Sequence, residues 1–181
     1  MKKTFRVGMM LGTALLAATS TFARDHKTPD PLAAHLEKEV RRELVTLPWY
    51  SLFDSLSFRI DGETVTLTGK VTRPTLKFSA ENVVNNIEGV EKVVNEIQVL
   101  PLSSVDDRLR LALYRSIYGH TALQLLSIRA VPPIHIIVEN GKVTLEGMVG
   151  NQMQKNIAGV QANTVSGVFS VTNNLGVDDS K

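Results

Sequence analysis

Apolar residues along this chain switch between a period near 3.6 and a period of 2, and they do so twice in the same order. Leu36, Val40, Leu44 and Leu47 recur at helical spacing. Phe58 and Ile60 then alternate with polar neighbours up to Asp61-Gly62, a dipeptide that marks a tight hairpin. Val65, Leu67, Gly69 and Val71 line one face of the next strand, and Thr64, Thr66 and Thr68 take the other. Leu76, Ala80, Val83, Val84 and Ile87 form a second helical stripe, which Gly89 ends. Val93, Asn95, Ile97 and Val99 make a last strand. The predicted order is helix, strand, strand, helix, strand.

The order recurs in the second half. Leu109, Ala112, Leu113, Ser116 and Ile117 carry a first helix, with Ser104 as its expected N-cap and Asp107 completing a variant capping box. Strands are predicted at 134–138, 143–149 and 169–177. Met153, Ile157, Val160 and Thr164 form the stripe of the helix between the last two. The hairpin is written twice: Val65, Leu67, Gly69 and Val71 return 78 residues later as Val143, Leu145, Gly147 and Val149. The same offset of 78 carries Gly89, Val90, Val93, Asn95 and Ile97 onto Gly167, Val168, Val171, Asn173 and Leu175. One offset held over two separated segments means a tandem duplication. The first helices align at 73 instead, so five extra residues lie between Gly119 and Pro133.

Two helices with single apolar stripes cover one face of a three-stranded sheet. The predicted fold class is therefore α+β, as two tandem small αββαβ domains with both helices on one sheet face. The threonine-lined opposite face is left for solvent or a neighbour. Residues 32–100 and 105–177 are the two domains, 101–104 a linker, 24–31 a flexible lead and 178–181 a polar tail.

The hairpin run Gly62 through Val71, with Gly89-Val90, Val93, Asn95 and Ile97, resembles the BON domain of bacterial exported proteins. The second copy resembles it more closely, in Gly141-Lys142-Val143-Thr144-Leu145-Glu146-Gly147-Met148-Val149 and then Gly167-Val168, Val171, Asn173 and Leu175. The resemblance covers roughly 140 of the 158 residues that follow Ala23. It implies a periplasmic or envelope-associated binding module without catalytic activity, linked to osmotic-shock protection and phospholipid binding. The signature glycines and valines are turn and core positions, so no binding residue carries over through them. The first copy departs at Asp61-Gly62-Glu63, one residue off the Asn-Gly turn, which bears on turn type.

The amino terminus reads as a signal peptide over residues 1–23. Lys2, Lys3 and Arg6 precede an apolar run from Val7 to Ala18, and Thr21-Phe22-Ala23 offers a cleavage site. The run is too short to span a bilayer, and an uncleaved anchor helix is the other reading. The expected location is the periplasm or the exterior, after cleavage near Ala23. Removing three basic residues turns 20 Lys+Arg against 18 Asp+Glu into 17 against 18, a net charge of −1. That balance takes away the first support for a nucleic-acid partner. With no cysteine, each domain relies on its apolar core alone.

Chemistry is sparse. His26, His35, His120 and His135 share no metal-ligand spacing, so no metal, no cofactor and no catalytic residue is assigned. His135, between Ile134 and Ile136, is expected on the polar side of its sheet. Charge is more informative. Residues 32–100 hold eight basic and ten acidic side chains, and residues 103–177 hold six and four. On the first helix of the second copy, Leu111, Tyr114 and Tyr118 fall opposite the core stripe, flanked by Arg108 and Arg115. A second apolar stripe needs a partner. Three readings stand: packing within the protein, contact with an anionic phospholipid surface or envelope polymer, or a protein partner. The expected function is non-enzymatic envelope binding, most plausibly of anionic phospholipid, that supports envelope integrity or osmotic-stress tolerance. The alternative is a periplasmic protein–protein interaction module. The apolar 120–133 insertion either extends the stripe or caps the core, with capping the expected role. Trp49, Tyr50 and Phe53 are expected to close the end of the first core, an interfacial belt being the other reading.

Overall fold

The computed structural model describes residues 31–178. The expected signal peptide, nearly all of the lead and the tail beyond Asp178 lie outside the described residues. Domain one runs α1 (Pro31–Val45), β1 (Ser55–Asp61), β2 (Thr64–Val71), α2 (Pro74–Asn85), β3 (Lys92–Asn95) and β4 (Gln98–Val99). Domain two repeats it as α3 (Ser104–Tyr118), β5 (Ile134–Glu139), β6 (Lys142–Val149), α4 (Gln152–Asn163), β7 (Ser170–Asn173) and β8 (Gly176–Val177). A 3-10 turn at Gln124–Ile128 belongs to the insertion. In each sheet the first strand pairs antiparallel with the second, and the last two short strands pair parallel with the second. Val40, Leu44, Val65, Leu67, Leu76 and Val84 make one core, and Leu113, Ile117, Ile136, Leu145, Ala158 and Leu175 the other.

The signature positions have structural causes. Gly69 and Gly147 have φ of 125° and 117°, and a Cβ there would strike the carbonyl oxygens of Ser55 and Pro133 across the hairpin. Asn140 and Gly141 both have positive φ, as a type I′ turn requires. Gly62 alone is positive in the first hairpin, which fits type II′ and explains the one-residue difference in the sequence. The predicted single last strand is broken in both domains. The Asn95 side chain accepts from Ile97 N and donates to Lys77 O, and Asn173 likewise accepts from Leu175 N and donates to Lys155 O. Each asparagine thereby bulges its strand and ties it to the preceding helix.

Two expectations are corrected here. The cap of α3 is Ser103, whose hydroxyl accepts from Asp106 N, rather than Ser104. On α4, Met153 and Val160 are exposed, and the buried face is Ala158 and Ala162 with Ile157 packed beside them. Small side chains let α3 come close enough for Ser116 Oγ to reach Gln161 O at 3.0 Å, so contact distance outweighs apolarity in choosing the face.

Between α1 and β1 the chain makes a strap that reaches across to domain two. Asp54 is fully buried, and its carboxylate accepts from Ser51 N, Ser51 Oγ, Thr72 N and Thr72 Oγ1 at 2.6–3.1 Å. This lashes the strap to the end of β2. Leu52 O then accepts from Ile136 N at 2.7 Å, on the outer edge of β5, and Leu52 and Phe53 pack on the core of domain two. Tyr50 stacks on His135 with ring centroids 5.6 Å apart. Only Trp49 of the expected cluster is exposed, at φ 70° beneath the Arg73 guanidinium. Tyr50 also packs on the core of domain one, as expected, so the cluster both closes that core and joins the two domains. Lys70 pairs with Glu139, and Ser55 Oγ donates to Glu146, so the polar sheet faces meet a neighbour at this joint. Replacing Asp54 by Ala strands four donors and should cost about 3 kcal/mol or more in denaturant unfolding. The amide of Ile136 should exchange faster in that variant.

Candidate functional site

The first helix of each domain has the same length but a different relation to its sheet. On α1 both arginines are paired locally: Arg41 with Glu37, and Arg42 with Glu39 and Glu43. On α3, Arg110 points inward. It is 5% exposed, donates to Val138 O at 2.7 Å and pairs with Asp107. Asp106 is buried as well, and its carboxylate accepts from Asn140 N and Gly141 N at 2.9 Å each. Arg108 and Arg115 remain exposed and have no ion-pair partner among the described residues. They sit three residues before and four after Leu111, on one helical face. Leu111 is 50% exposed.

Tyr118 does not share that face, which corrects the expected stripe. It is 4% exposed, its hydroxyl donates to Ile134 O at 2.8 Å and accepts from Ile134 N at 3.1 Å, and burial pushes its pKa up. Tyr114 is half-buried against the same core, its ring centroid 5.4 Å from that of Tyr118. The helical wheel placed both outward because it took the sheet as the helix's sole cover. The insertion and the start of β5 wrap the last turn of α3 from the side. Within the insertion, Leu123 is buried and Leu126 packs on the core, while Leu125 and Ile128 are 71% and 80% exposed. The insertion thus caps the core and presents two apolar side chains, followed by exposed Arg129, to solvent. The surface that remains is Arg108, Leu111 and Arg115 on α3 and Leu125, Ile128 and Arg129 on the insertion.

Sequence reasoning missed Asp106 and Arg110, whose charge hid them from a core search. Their offset of four residues beneath an apolar stripe was the available signal. His135 faces the polar side of its sheet as expected, and there it is covered by the joint. Its Nδ1 lies 2.6 Å from Asp54 O, and since a carbonyl only accepts, Nδ1 carries the proton. Burial holds its pKa below the ordinary 6.5, opposed by the nearby Asp54 carbonyl and Glu146 carboxylate. Burial likewise pushes the Tyr50 hydroxyl up to about 12. Among the described residues no cluster of three or more His, Cys, Asp or Glu is placed to hold a metal ion, and no helix is long and apolar enough to cross a membrane.

The family model described as "BON domain" matches residues 33–101 and 122–179, more than half of the 181. The chain belongs to the BON-domain family. BON domains are phospholipid- or envelope-associated binding modules and are generally non-catalytic. In this BON protein α3 lies between the two matched segments, so the helix that bears the free arginines is outside both. Among curated proteins none matches the chain. Among solved structures, the C-terminal domain of CdsD, "the structural protein of the Type III secretion system of Chlamydia trachomatis", is similar at 13% identity and a TM-score of 0.28, over 79% of this chain and 97% of that one. A second CdsD structure is similar at 12% identity and a TM-score of 0.28, over 80% of this chain and 92% of that one.

Two measurements follow from this geometry. Tyr118→Phe leaves both Ile134 backbone groups without their buried partner and should lower unfolding stability by about 1–3 kcal/mol, whereas Leu111→Ser should stay within about 0.5 kcal/mol. For His135, a folded pKa below the unfolded value means that the unfolded chain takes up the proton first. Stability is then full above pH 6.5 and falls as the pH drops from there toward the depressed folded value. His135→Gln should flatten that part of a stability-against-pH curve, measured by urea unfolding between about pH 4 and 8.

Proposed function

We propose that this protein is an exported, non-enzymatic envelope protein whose second domain contacts anionic phospholipid. One observation carries the reading: α3 holds two arginines on either side of exposed Leu111 that have no ion pair among the described residues, whereas α1 pairs its own arginines with glutamates. An arginine near an anionic surface gains about 1 kcal/mol, and an apolar side chain between two of them gains by entering the headgroup region. Leu125 and Ile128 add apolar area on the same domain, with Arg129 next in sequence. Membership of a phospholipid- and envelope-associated family supports the same partner class. Export to the periplasm rests on the signal-like sequence up to Ala23, and a role in envelope integrity or osmotic-stress tolerance follows from the partner.

Co-sedimentation of the chain from Arg24 onward with vesicles tests this. Anionic vesicles should pull the protein down at low salt and neutral ones should not, and moderate salt should weaken the binding. Arg108→Ala with Arg115→Ala should reduce the bound fraction severalfold without changing the melting temperature, as should Leu111→Ser. Equal binding to neutral and anionic vesicles, or none to either, would sink the lipid reading and favour a periplasmic protein partner.

A further inference from the structure

The two domains close the outer edge of their first strand differently. In β5 the outward backbone groups are those of Ile134, Ile136 and Val138, and each of these residues has at least one of them partnered. Tyr118 Oη bonds Ile134 N and O, Leu52 O takes Ile136 N, and Arg110 takes Val138 O. Asp106 then closes the turn beyond them. The register of β1 on β2 is that of β5 on β6 shifted by 78 residues, so Leu56, Phe58 and Ile60 present the equivalent outward groups. The Tyr50 hydroxyl lies near the backbone of Leu56. The outward groups of Phe58 and Ile60 have no hydrogen-bond partner within the described residues.

The reason is legible in α1. At the helix offset of 73, Asp106 and Arg110 correspond to Ala33 and Glu37. Domain one therefore lacks the acid and the arginine that fasten α3 to its strand. In their place is an open groove of about 800 Å³ between α1 and β1. Ala33, Leu36, Leu56, Phe58 and Ile60 line it, and the Arg41 guanidinium rests 5.6 Å over the Phe58 ring. Glu63 and Glu88, also on the groove, form no ion pair among the described residues. We propose that the outer edge of β1 and this groove capture an extended polypeptide strand from a partner protein by strand addition. Domain two shows the kind of occupant: the strap lays main chain on the matching edge of β5 at Leu52. The captured strand would bond Phe58 and Ile60 through its main chain, place alternate apolar side chains in the groove and bring a basic residue to Glu63 and Glu88. Such an edge reads backbone and alternation rather than one sequence, so it suits unfolded or extended protein segments.

The probe is a blocked, amidated peptide Lys-Val-Thr-Val-Thr-Val-Lys, titrated into the ¹⁵N-labelled protein. Saturable binding should slow amide exchange at Phe58 and Ile60 by about tenfold or more and leave β5 unchanged. The same peptide, N-methylated on the face that would bond the edge, should lose this protection. Grafting the fastening with Ala33→Asp and Glu37→Arg should fill the groove and abolish the binding, with folding checked by circular dichroism. The N-methylated arm requires no variant and decides the matter even if the graft misfolds. Absence of binding, equal protection by the N-methylated peptide, or protection confined to domain two would overturn the proposal. Slow exchange of Phe58 and Ile60 without peptide would overturn it too, since the edge would then be covered by the chain itself or a second copy. Vesicle binding through α3 is unaffected by any of these results.

Discussion

The buried carboxylate of Asp54 is the constraint on which the arrangement of the two domains depends. A charge withdrawn from water is tolerated when its lone pairs are filled, and four donors fill these. Because the donors come from the strap and from the residue after β2, the carboxylate fixes where the strap leaves domain one. Leu52 O, Phe53 and the Asp54 carbonyl are thereby aimed at β5, Ile136 N and His135. The joint is not a generic apolar contact. It is a strand edge closed by main chain, with ion pairing and a stacked histidine around it.

Edge closure also accounts for the different surfaces that the duplicated domains present. A small sheet with free edges risks pairing with other chains. Domain two removes the risk by consuming Asp106, Arg110, Tyr118 and the strap. That commitment draws one arginine of α3 inward and leaves two others facing solvent with no ion pair among the described residues. Domain one spends its charges on the helix surface, where exposed i,i+4 pairs contribute only a few tenths of a kcal/mol. Among the described residues nothing covers its groove or bonds its strand edge. One fold thus carries a cationic, partly apolar helix in one copy and an unfilled strand edge in the other.

The same residues set what each surface could recognise. Free arginines around Leu111 suit a diffuse anionic surface, where geometry matters little and charge density matters most. An edge with two outward backbone groups and an apolar trough suits a partner that is itself main chain. The two chemistries sit on different domains and different helices, so a single protein could hold an envelope surface with one and an extended segment with the other.

The chain's own pattern determined the duplication, the element order, the sheet-facing valines and leucines, and the two tight turns. These depend on neighbours a few residues away, and alternation, helical spacing and glycine record them directly. Even the offset that exposed the insertion was there to be counted. The pattern could not decide that Tyr118 turns inward, that Ala158 and Ala162 rather than Met153 and Val160 face the core, or that Tyr50 and Phe53 serve a joint. Nor could it show that Arg110 is buried or that Glu37 fronts a groove. Each of those depends on what lies across the chain: the first residue of β5, the closeness of α3, the outer edge of a strand in the other domain. A helical wheel assumes one cover for one helix. Only tertiary packing supplied the second cover, and with it the difference between a membrane-facing tyrosine and a core one.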